Sequence, residues 1–170
     1  ALAAGQLWRL FTWHFAHWSG GHLRWDLLTF VVLGATCEIL DRRRFLRVLL
    51  VGSVGISATT WFLTPELGLC RGLSGLDAAL FGLLLCRAGG VGWADRRPTA
   101  MIVPAIAGSG FVLKTLFELA TGEAVFVTSM GNGIVAMPLA HLTGFAIGVL
   151  CQYRFRSRFR LGWNATAVLR

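Results

Sequence analysis

Five apolar stretches of this chain, roughly 22–40, 45–63, 72–88, 99–121 and 133–153, are long enough to cross a lipid bilayer. About 20 residues of helix match the hydrocarbon thickness, and in lipid every backbone N–H and C=O needs an internal partner. Helices meet that condition within one segment, so the runs predict an all-α polytopic membrane protein. Five crossings occupy residues 1–153 as one membrane domain and leave 154–170 as a basic tail. Composition agrees: 14% of residues are charged, against about 25% for an ordinary soluble chain, and the mean hydropathy is +0.65.

Small residues run through these stretches, among them Gly52, Ser53, Gly55, Gly82, Gly108, Gly144 and Gly148. Membrane helices approach closely where side chains are small, so a compact bundle is expected. Before the first run lies 7-LWRLFTWHFAHWSGG-21, rich in Trp and Phe and interrupted by Ser-Gly-Gly. It reads as an interfacial segment, where indole rings are favoured.

The net charge of +8 does not indicate nucleic acid. A nucleic-acid reader needs a continuous basic face; here the basic residues gather where apolar runs end. One cluster is Arg42, Arg43, Arg44 and Arg47, a second is Arg87, Arg96 and Arg97, and the tail holds Arg154, Arg156, Arg158, Arg160 and Arg170. The other two connections are poor in positive charge. Basic loops mark the cytoplasmic side, which places residues 1–21 outside and the C-terminus inside. A first span entering from outside calls for an earlier crossing, so one preceding helix is expected to be missing from this sequence. Cys37, Cys70, Cys86 and Cys151 lack paired spacing and read as small apolar residues.

Polar groups inside the runs are few, and each costs roughly 2.5–3.5 kcal/mol at mid-bilayer on insertion scales. His22 and Asp26 share one face at the start of the first span. Ser74 and Asp77 open the third, and His141 lies about one-third of the way into the fifth. Lys114 and Glu118, four residues apart in the fourth span, read as a pair that neutralises itself; Glu38 beside the first arginine cluster reads as an ion pair. Ser74, in 72-GLSG-75, stands at a helix start whose free amides favour a developing anion. His141, in 140-AHLTGFAIG-148, sits one turn above a Gly144/Gly148 stripe and therefore on a helix-contact face. A Ser–His pair within hydrogen-bond reach is the minimal activated nucleophile. Each residue also has a plainer reading, a packing serine and a core histidine tied to a hydroxyl. His14, His17 and His22 lack the zinc-site pattern, so no metal is expected.

Three segments together resemble the rhomboid family of intramembrane proteases. The stretch 8-WRLFTWHFAHWSGGHLRWD-26 is similar to the family's W-R-x-x-T…H-x-x-x-x-H-x-x-x-N, 72-GLSG-75 to its G-x-S-G, and 140-AHLTGFAIG-148 to its A-H-x-x-G-x-x-x-G. The resemblance covers essentially the whole chain apart from the family's first helix. It implies a rhomboid-like helical bundle, a Ser74–His141 dyad with no third acid, and no cofactor. It also implies an oxyanion hole from the Ser74 amide with the side chains of His22 and Asp26. Trp8 and Arg9 match the outer loop that braces the fold, and His17 its structural histidine.

Two positions depart from the pattern. Asp26 stands where the family has Asn, and an ionised carboxylate only accepts hydrogen bonds; it serves the oxyanion either in protonated form or indirectly, by orienting His22. Ala78 replaces the Tyr or His that packs against the catalytic histidine in many members. The small bacterial rhombosortases are similar in their short loops. The function implied is serine endopeptidase cleavage of transmembrane protein substrates near the outer face of a bacterial inner membrane. The alternative is a catalytically inactive rhomboid-like protein that binds membrane helices. The oligomeric state is not legible.

Overall fold

In the computed structural model residues 5–64, 71–123, 125 and 137–153 are described. A short helix α1, Arg9–Thr12, runs into a 3-10 turn, Trp13–Phe15. Four long helices follow: α2, Gly20–Leu63; α3, Ser74–Ala94; α4, Thr99–Thr121; and α5, Pro138–Tyr153. No strand occurs among the described residues. Of these helices α2, α3 and α4 are long and apolar enough to cross a membrane. The opening of the expected fifth span, residues 133–136, and the whole expected basic tail lie outside the described residues, as does Cys70.

α2 corrects one expectation. Instead of a loop between the first two apolar runs there is a single non-helical residue, Asp41, with φ −164° and ψ 89°. Its carboxylate explains the break: Oδ1 accepts the backbone N–H of Arg44 at 3.0 Å, which is N-cap geometry for the helix that restarts there. Arg42, Arg43, Arg44 and Arg47 therefore lie on the second arm of a helical hairpin. Both ends of the hairpin reach the start of α3: Asp26 accepts the Leu73 N–H at 2.8 Å, and Ile56 lies against Gly75. At the opposite end Arg44 donates to Gln152 Oε1 of α5 at 2.8 Å.

α3 is the centre of the bundle. Ala79, Leu80 and Leu83 are buried with Cys37, Phe45 and Val48 of α2 and Cys151 of α5, while Leu73 and Leu76 join Ile56 and Ala140. The tightest approach is α3 to α5. A Cβ at Gly144 would land on the Gly75 carbonyl oxygen, and one at Gly148 on that of Ala79. Only glycine allows the two backbones to come this close, the membrane packing mode expected of the stripe. α4 is attached differently, through a cluster of Phe81, Phe111 and Phe145 in which Phe111 and Phe145 stack with centroids 4.7 Å apart. Only Thr115 and Glu118 of α4 are buried. Val31, Val32, Ile39, Leu50, Ile102, Val103, Ile106 and Leu113 are all exposed. An apolar exterior of this extent suits lipid and not water, and the chain is an integral membrane protein.

Candidate active site

Ser74 is the first residue of α3, preceded by Gly72 at φ +130°. That angle disfavours any side chain, and a Cβ there would also press on His22 Nε2 at 3.0 Å and Asp26 Oδ2 at 3.1 Å. Gly72 thus does two things: it turns the chain into α3 and lets the turn lie flat on the His22 ring. Leu73 N–H is fastened to Asp26. The amides of Ser74, Gly75 and Leu76 stand in the first turn, where no intrahelical acceptor exists.

His141 comes from α5, one turn above Gly144, and its Nε2 lies 3.0 Å from Ser74 Oγ. Ser74 is half-buried and has no other side-chain hydrogen bond among the described residues. His141 is buried. The two groups are 67 positions apart in sequence. They meet because the Gly144 and Gly148 contacts press α5 onto α3.

Behind the imidazole the structure places a carboxylate. Glu118 Oε2 lies 3.1 Å from His141 Nδ1, and Lys114 Nζ donates to the same oxygen at 2.8 Å. Lys114 and Glu118 do pair, as expected, but the pair is not self-contained. Glu118 is 2% exposed. The signal was present in the sequence, since one acid in an otherwise lipid-facing span needs more than one explanation.

His17 and His22 converge on Asp26, each with Nε2 3.2 Å from Oδ2. With the Leu73 amide at 2.8 Å, three nitrogens converge on one carboxylate oxygen. His22 Nδ1 and Asp77 Oδ1 are buried with no hydrogen-bond partner among the described residues. His14 goes elsewhere, to Ser53 and Ser57 of α2, so the three histidines do not converge.

The outer segment is tied down by Trp13 and His14. Trp8 and Arg9, in the same segment, are exposed, and the Arg9 guanidinium donates to Gln6 Oε1. Trp13 Nε1 donates to Ser57 Oγ at 2.6 Å, and Arg71 stacks over Trp18, 4.4 Å from the ring centroid. Burial pushes the His14 imidazole down to about 4, against weaker support from the Ser53 and Leu10 backbone.

The helical bundle thus has an apolar exterior and holds a serine, an imidazole and a carboxylate in hydrogen-bonded series. The family model for the Rhomboid domain matches residues 4–158, and the chain belongs to the rhomboid family. That family consists in general of serine intramembrane proteases acting on membrane-protein substrates, with inactive homologues among them. No curated protein and no solved structure matches the chain.

Proposed function

We propose that the protein is an active intramembrane serine endopeptidase with Ser74 as nucleophile and His141 as its base. The observation that carries this reading is the 3.0 Å contact between Ser74 Oγ and His141 Nε2, made by a hydroxyl with no competing partner among the described residues. His141 takes the Ser74 proton as Oγ attacks the scissile carbonyl carbon, and the carbonyl π electrons move onto oxygen. The amides at the start of α3 face the resulting oxyanion. Collapse breaks the C–N bond, and His141 returns the proton to the leaving amine. Water then attacks the acyl-enzyme with His141 again as base, which frees the acid and restores the serine.

His22 and Asp26 support the oxyanion site in different ways. A neutral His22 with its proton on Nε2 spends it on Asp26, so the ring donates through Nδ1 only when doubly protonated. Asp26, in the same reading, holds His22 and the Leu73 amide and is not itself a donor.

The substrate class is a transmembrane helix whose outer end unwinds readily. A helical peptide hides its carbonyls in hydrogen bonds, and Gly or Pro near the cut weakens them. The arginine clusters support an outward-facing site and a cytoplasmic C-terminus in a bacterial inner membrane, and the short loops support the rhombosortase branch.

The test is cleavage of a transmembrane peptide with a Gly-rich outer end in proteoliposomes. Ser74→Ala is expected to lower the rate by about 10³-fold or more. Equal cleavage by the variant would remove Ser74 from the chemistry, and a wild type that binds but never cuts the helix would leave the inactive, helix-binding homologue.

A further inference from the structure

We infer that Glu118 is a positioning residue that turns the Ser74–His141 pair into a three-membered Ser–His–Glu relay, contributed by three different helices. The inference rests on the protease reading and adds to it the group that selects the working tautomer of the base.

A neutral imidazole carries one N–H and one bare nitrogen. To take the proton of Ser74, Nε2 must be bare, so the hydrogen must sit on Nδ1. Two groups face Nδ1: Glu118 Oε2 at 3.1 Å and Lys114 Nζ at 3.2 Å. They make opposite demands. An ammonium only donates, so a hydrogen bond from Lys114 requires a bare Nδ1 and places the ring proton on Nε2. That ring would donate to Ser74 and could not act as its base. A carboxylate only accepts, so a bond to Glu118 requires Nδ1–H and leaves Nε2 free. The tautomer of His141 is therefore decided by which neighbour it bonds.

The geometry favours Glu118. Lys114 Nζ has its shorter contact, 2.8 Å, with Glu118 Oε2. One oxygen thus accepts from both the ammonium and Nδ1–H, which satisfies both donors without a bond between them. The Lys114 side chain is 21% exposed and the Glu118 side chain 2%, so the acid is the fixed member. Its backbone is secured as well: the Glu118 carbonyl accepts the N–H of Gly122, the left-handed residue that ends α4, at 2.9 Å.

Placement adds a second argument. α4 turns nearly all its side chains outward, and Glu118 is the one charged residue among its buried positions. A carboxylate and an ammonium serving only each other would be held as well on the outer face of the helix, near its end. Burial against α5 brings the acid to the imidazole. Ala78 offers no ring to hold His141, and the carboxylate holds the imidazole at Nδ1.

The experiment uses the whole chain in detergent and a fluorophosphonate probe that forms a covalent bond with the active serine. Wild type, Ser74→Ala, Glu118→Gln and Glu118→Asp are compared for the maximal labelling rate and the probe concentration at half-maximal rate. Gln keeps shape but not charge; Asp keeps charge but is one methylene short. The expected result is a maximal rate about 10²-fold or more lower in Glu118→Gln, with the half-maximal concentration unchanged and partial recovery in Glu118→Asp. A role confined to packing would lower thermal stability without this split. Nitrogen-15 NMR of the four histidines, assigned with a His141→Gln spectrum, reads the tautomer in the wild type directly and needs no folded Glu118 variant. Nδ1–H on His141 is expected, and Nε2–H would overturn the inference. A wild-type maximal rate in Glu118→Gln would overturn it too while leaving Ser74 and His141 in place. No labelling of wild-type Ser74 removes the protease reading and the relay together.

Discussion

Among the described residues two serine hydroxyls lie against an imidazole, and the two contacts are built differently. In the first, His14 Nε2 lies 3.4 Å from Ser57 Oγ; in the second, His141 Nε2 lies 3.0 Å from Ser74 Oγ. What differs is the occupation of the other bonding positions. Ser57 donates its proton to the Leu10 carbonyl at 2.7 Å and accepts from Trp13 Nε1. His14 Nε2 faces the Ser53 carbonyl at 3.2 Å, so that nitrogen carries the hydrogen and is a donor. The pair at Ser57 is a closed knot that fastens the outer segment to α2: the nitrogen facing the hydroxyl is not bare, and the hydroxyl proton is already given away. At Ser74 the hydroxyl has one partner among the described residues, and the imidazole is backed by a carboxylate. Proximity of hydroxyl and imidazole is common to both; the direction of the protons separates them.

Exchanging each imidazole for an amide gives the largest contrast. His141→Gln should reduce fluorophosphonate labelling of Ser74 by about 10³-fold or more. His14→Gln should leave labelling within a few-fold and cost roughly 1–3 kcal/mol of stability, the range for leaving a buried polar partner unsatisfied. If His14→Gln silenced labelling in a protein that melts normally, the division between the two sites would be wrong.

Next in size is Gly144→Ala. Its methyl group would collide with the Gly75 carbonyl, one residue beyond the nucleophile. Overpacking at about 1–3 kcal/mol is expected, with slower labelling because α5 carries His141 away from Ser74. The His14 knot does not depend on this contact, so cross-linking Trp13 to Ser57 through introduced cysteines should stay efficient; its loss would show that the two regions are coupled.

The smallest effect is a pH dependence. His14 is held at about 4, below its ordinary value of 6.5. Above 6.5 the ring is neutral folded and unfolded, and contributes no pH dependence. Between 6.5 and about 4 the unfolded chain binds the proton first, so stability falls with pH by up to roughly 3 kcal/mol. Thermal melting in detergent should show this slope in wild type and lose much of it in His14→Gln. A slope that persists undiminished in the variant would assign it to another group.

The helical membrane bundle was legible from sequence because hydrocarbon imposes one solution on long apolar runs, and a glycine stripe announces where backbones touch. Ser74 and His141 were legible as candidates because a hydroxyl at a helix start and an imidazole deep in a span are both costly to place there. Helix ends were less so. Asp41 breaks α2 with one residue because its side chain caps the restart, a matter of local geometry that hydropathy does not register. The contacts that brace the outer segment fall on Trp13 and His14, since only the folded chain shows which of its aromatic rings faces inward. Glu118 was the largest omission. Its i,i+4 neighbour Lys114 satisfied it on paper, and spacing along one helix says nothing about a third partner 23 positions away. Which hydrogen sits on which nitrogen is decided by groups from α3, α4 and α5 arriving at one point. That arrangement exists only after the helices have packed.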